Sequence, residues 1–281
     1  MDIQLGSERI FALEDRLGAE EVRQRAMDRR SHAFGSGLGS LLQRPKSDDI
    51  ELLGSQRRLE PFWHVACRGT YVYERTREYA VKASAPEVRE VTVLGTNYTV
   101  AETGPGARTF TISALEHCRD EFVHETYADG ATGARVADAA AAIGGAKHEV
   151  TDPAALTAEG TIVVPPQHRA SYVVRQVLAE MMKPVQADRM IEESLVLENT
   201  DLYYRPIWAF EFHWRPKDKR GVVEIDALTG EVRQGDSLMP QLSKMITRDA
   251  LFDIGADTVG LLVPGGSIAV KVARAALDKS Y

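Results

Sequence analysis

Residues 203–214, YYRPIWAFEFHW, put Trp208, Phe210, Phe212 and Trp214 on one side and Ile207, Ala209, Glu211 and His213 on the other. That alternation has the period of an extended strand. A row of rings so large has to be covered, so the strand needs a second layer packed on it. The charged turn RPKDKRG follows, and VVEIDA returns as the paired strand of a hairpin.

A fainter copy lies at 59–73, LEPFWHVACRGTYVY. The stretches LLQRPKSDDIE to EPFWHV and MMKPVQADRMIEE to RPIWAF each run from an apolar pair, through proline and an acidic Ile-Glu element, to Pro-x-Trp. This reads as a diverged internal duplication with one loop lengthened. The proline ahead of each strand keeps the preceding residue out of the helical region. The expected fold class is therefore α+β: two diverged antiparallel sheet-plus-helix units about a pseudo-two-fold, with helical N- and C-terminal segments. The boundaries expected are a helical arm at 1–34, units at 41–150 and 151–240, and an apolar helical segment at 241–281.

Within that plan, Ile10, Leu13 and Leu17 repeat as one helical face, with Gly18 as a breaker before a second, charged helix. FGSGLGS at 34–40 has linker composition, which makes the arm expendable for folding. Between 59 and 112 four or five antiparallel strands are expected. Ser113 to Glu116 fits a capping box, predicting a helix from Ala114 to about Glu125. RASYVVRQVLAEMM at 169–182 predicts a helix with Val173, Val177 and Met181 on its buried stripe. Ser267 suits a helix N-cap.

GVVEIDALTGEV at 221–232 resembles the closing strand and turn of PepSY-like modules: a hydrophobic strand, Asp-Ala, then Thr-Gly-Glu. In such a turn Asp226 bonds backbone groups ahead of it and Gly230 takes the positive-φ position. The resemblance covers the 203–235 hairpin. It implies a small helix-plus-sheet module that binds or inhibits rather than catalyses.

The net charge is −7 and the pI about 5.6, which argues against general nucleic-acid binding. Cys67 and Cys118 are the two cysteines, read as separate reduced thiols. Residues 1–22 carry acids early and no apolar signal region, so the cytoplasm is the expected location. No nucleophile-elbow or P-loop pattern occurs in the sequence.

These features point to a non-catalytic binding or assembly protein, acting through the face between the repeats and the C-terminal segment. Trp63, Trp208, Phe210 and Trp214 are its candidate binding residues. A protein partner is expected, with self-association through the apolar 250–277 region. An alternative is a metal-binding protein or metalloenzyme. On the expected helix His117, Glu121 and His124 share a face and could hold a divalent metal. A further alternative, a peripheral membrane protein, rests on the apolar C-terminal segment.

Overall fold

The computed structural model describes residues 1–34, 45–104, 106–235, 251–252 and 271–274. In chain order its elements are β1 (Asp2–Leu13), α1 (Ala19–Asp28), β2 (Ile50–Lys82), β3 (Glu90–Val93), β4 (Thr96–Thr99), β5 (Ala101–Gly104) and β6 (Ala107–Asp129). They continue as α2 (Ala139–Ile143), β7 (Lys147–Glu149), β8 (Ile162–Val163), α3 (Ala170–Met181), β9 (Arg189–Trp214), β10 (Lys219–Asp226), β11 (Val232–Gly235) and β12 (Lys271–Arg274). Among the described residues strand accounts for 56% and helix for 20%, so the expected α+β class with helical termini is corrected to a mostly β fold.

Three long strands set the architecture. β2 has 33 residues, β9 has 26 and β6 has 23. β2 lies between the other two, antiparallel to both. The far side of β9 is shared: β1 runs parallel along residues 194–204, and β10 returns antiparallel along 207–214. β11 extends β10, β8 flanks β2, and β7 and β12 flank β1. One sheet therefore passes through both expected units.

The N-terminal arm is strand where helix was expected. Ile3, Leu5, Ile10 and Ala12 enter the main core, while Phe11 and Leu13 enter a second one. Burial on both faces gives the continuous apolar run Ile10–Leu13, which does not show strand alternation. The helix does form further on, at α1, after Gly18.

The helix expected at 114–125 is also strand, the middle of β6. Its partner is β2, and the cross-strand pairs are specific: Arg75 Nε reaches Glu116 Oε2 at 2.5 Å, and His117 Nδ1 lies 3.2 Å from Glu74 Oε1. In both, the paired residues stand directly opposite in the ladder. Phe122 covers Gly69, where any Cβ would meet the ring. Long-range pairing here outweighs local helix propensity.

The other expectations fare better. α3 spans Ala170–Met181 with Val173, Val177 and Met181 buried. The β9–β10 hairpin has the expected faces. Of the segment at 241–281, Leu251 and Phe252 pack into the main core and Lys271–Arg274 form a strand beside β1, where a helix was expected. The rest of it, Ser267 included, and the 35–40 part of the FGSGLGS segment lie outside the described residues. No described helix is long and apolar enough to cross a membrane, which leaves strands that cross as a barrel unaddressed.

β2 and β9 meet about a local two-fold. Glu60 pairs with Arg205 at its centre, and Pro61–Trp63 and Pro206–Trp208 are disposed equivalently on either side. Asp129 stands opposite Phe62, and Asp226 opposite Ile207. β1 runs parallel beside β9 and the two-residue β8 parallel beside β2; each is followed in the chain by a helix, α1 or α3, and then by a long strand, β2 or β9. α3 packs on the Trp63 half of the sheet and α1 on the Phe210 and Phe212 half. The ladder puts those aromatics on a single face, so both helices cover the same side.

Burial separates the two thiols. Cys67 is buried, and desolvation pushes its pKa up to about 12, whereas Cys118 is partly exposed; neither is in a disulfide. In native protein at neutral pH a thiol-specific reagent is expected to titrate one thiol per chain, and both after unfolding. Two fast-reacting native thiols would contradict the placement of Cys67.

Candidate functional site

The opposite face of the sheet carries the polar groups. At each end of the two-fold a return strand closes in an Asp-x-x-Thr-Gly turn, DGATG at 129–133 and DALTG at 226–230. Asp129 Oδ1 accepts from the amides of Ala131 and Thr132 at 3.0 and 2.7 Å. Asp226 Oδ1 accepts from those of Leu228 and Thr229 at 2.7 and 3.1 Å. Gly133 and Gly230 have φ of 72° and 74°, a conformation that glycine adopts freely. The amide of Gly130 donates to Pro61 and that of Ala227 to Pro206, at 2.8 and 3.1 Å, tying each turn to its long strand.

Between the turns lies an open cavity of about 300 Å³. Arg205 lines it. Its Nη1 and Nη2 donate to the two carboxylate oxygens of Asp138 at 3.0 and 2.5 Å, and its Nε abuts Asp226. The Arg205 hydrogen bond holds the Asp138 carboxyl below its ordinary pKa, outweighing its partial burial.

Beside Arg205, two arginines and two glutamates close a ring. Arg58, 2% exposed, bonds Glu224 and lies 3.3 Å from Glu60. Arg233 reaches Glu60 at 2.6 Å and Glu224 at 2.7 Å. Burial works against charge on Arg233, yet Glu60 and Glu224 hold its pKa above the ordinary value. Arg135 and Glu231 also line the cavity, and neither has an ion-pair partner among the described residues. The site thus offers one cation and one anion with no ion pair among the described residues.

A second polar cluster shares this face. His64, 6% exposed, stacks on Tyr127 and donates from Nε2 to Glu125 at 2.7 Å. Tyr127 donates to the same oxygen at 2.9 Å. Burial resists charge on Glu125, but those two bonds lower its pKa. The Tyr127 phenol is pushed up to about 12 by burial and by Glu125. Asp201 stands opposite His64, 1% exposed and held by Arg9 at 3.1 and 2.9 Å. Desolvation raises its pKa in spite of Arg9. His64 Nδ1 is buried with no partner among the described residues.

The residues singled out from sequence lie elsewhere. Trp63 is fully buried and donates from Nε1 to the His168 carbonyl at 2.7 Å. Phe210 is buried, Trp214 packs on Phe34, and half-buried Trp208 donates to Asp15 at 3.0 Å. All four occupy the helix-covered face, away from the cavity. His117 and Glu121 sit on one face of β6, four residues and roughly 13 Å apart. His124 is on the other face, 3.1 Å from Glu180 of α3, and Glu121 pairs with Arg119. The three do not converge, because the period on which their grouping rests is helical and the segment is strand. Among the described residues no group of three His, Cys, Asp or Glu is placed to hold a metal.

The cavity residues come from β2, β6, β9, β10 and β11 and from the loops after β6 and β10, so no contiguous motif marks them. The only local signal is the recurrence of Asp-x-x-Thr-Gly. No family model, curated protein or solved structure matches this chain.

Proposed function

We propose that this chain is a binding protein whose site is the cavity on the local two-fold, and that it takes a small molecule carrying both charges, of amino-acid to dipeptide size. The observation that carries this is the pair Arg135 and Glu231, opposite charges without ion-pair partners among the described residues, in one cavity of about 300 Å³. Arg135 suits a carboxylate and Glu231 an ammonium. The salt-bridged walls around Arg205 and Arg233 fix the shape, so little ordering is required on binding. The PepSY-like resemblance of the 203–235 hairpin points the same way, toward binding.

Calorimetric titration with a panel of amino acids and dipeptides tests it. Arg135→Ala and Glu231→Gln are each expected to weaken the best ligand about tenfold or more, since hydrogen bonds to charged groups contribute about 1.5–3 kcal/mol. Both side chains reach solvent, so melting temperatures should hold. Unchanged affinity in both variants would remove the cavity from the binding role.

A further inference from the structure

The sheet ends on one side in an edge of unusual length. β6 pairs with β2 from Thr109 to Asp129, whereas β5 reaches only Ala107–Thr109 on its other side, and a single bridge joins Ala128 to Arg135. From Thr111 to Thr126 no described strand pairs with that outer edge. Sixteen residues of extended chain present roughly 50 Å of backbone donors and acceptors. An edge this long is a template for another strand.

Its side chains identify the strand that fits. Leu115 and Val123 are 53% and 58% exposed, large apolar residues on the same face of β6 and equidistant from Arg119. His117 and Glu121 fall inside them, also equidistant from Arg119. We propose that two copies of this chain pair antiparallel through β6, about a two-fold at Arg119. Each Leu115 then stands opposite Val123 of the second copy, and each His117 opposite Glu121. The two Arg119 side chains meet at the axis, each already bridged to Glu121 of its own chain at 2.6 Å, which offsets their repulsion. Moving the axis to Asp120 would set Leu115 against Glu125 and Asp120 against itself, so apolar and charge pairing both select Arg119. A two-fold of this kind closes the assembly at a dimer and joins the sheets edge to edge.

Light scattering on the full chain at high micromolar concentration is expected to report a dimer. Leu115→Lys with Val123→Lys places like charges opposite each other twice and is expected to give a monomer that still unfolds in one cooperative transition. The register is read by disulfide trapping in a Cys118→Ser background. Arg119→Cys should cross-link to itself on oxidation, Leu115→Cys with Val123→Cys should cross-link as a pair, and Asp120→Cys should not cross-link. A monomeric wild type would overturn the proposal. A dimer that survives the double lysine variant, or that cross-links through Asp120→Cys but not Arg119→Cys, would overturn it as well.

Discussion

A chain lacking residues 1–14 is expected to lose its cooperative unfolding transition altogether. The segment is an inner strand: β1 pairs with β9 from Asp2 to Ala12 and carries β7 and β12 on its other side. Ile3, Leu5, Ile10, Phe11 and Leu13 are all buried. Each contributes about 1.5–3 kcal/mol on burial, so together they supply on the order of 10 kcal/mol. That equals the whole net stability of an ordinary domain, about 5–15 kcal/mol. Removing Arg9 also leaves Asp201 buried without its bidentate partner. The measurement is a urea or thermal melt of the truncated chain followed by circular dichroism. A sharp transition near that of the full chain would show that the sheet closes without β1.

This outcome reverses what the N-terminal sequence suggests, and the reason is physical. Alternation identifies a strand only where one face stays polar. YYRPIWAFEFHW does so, and its hairpin and the DALTG turn are legible from local residues. Ile10–Leu13 is covered on both faces, so its apolar run fits Leu17 at helical spacing as well as it fits a strand. β6 fails differently. Ala114 to Glu121 is locally helical in composition, and what makes it a strand is the complementarity of Glu116 and His117 to Arg75 and Glu74, some forty residues earlier. A long-range register has no local signature. The cavity was hidden for the same cause: Glu60, Arg135, Arg205 and Arg233 acquire a shared role only when the two-fold brings their strands together. The aromatic row drew attention to the face that the helices cover, because large rings report burial more reliably than they report ligands.

Replacing Glu224 by leucine is expected to cost about 3–5 kcal/mol, and replacing Arg58 by methionine about as much. Both side chains are buried, and each reaches the other across the intervening β9 on the same face of the sheet. Among the described residues, loss of Glu224 leaves Arg58 with only Glu60 at 3.3 Å, and Arg233 with only Glu60 at 2.6 Å. Loss of Arg58 leaves Glu224 dependent on Arg233, whose guanidinium is half exposed. A charge stranded out of water costs more than the pair contributes when intact, because its desolvation is no longer compensated. The double variant, Arg58→Met with Glu224→Leu, strands neither charge and keeps the Arg233 bond to Glu60. It is expected to be no less stable than the weaker single variant, so the two changes should be strongly non-additive. Urea denaturation of the four proteins gives the coupling directly. Additive losses would mean that the ring members act independently. The same double variant separates stability from binding: Arg135 and Glu231 are untouched and the Arg233 bond to Glu60 still shapes the wall, so ligand affinity should be kept.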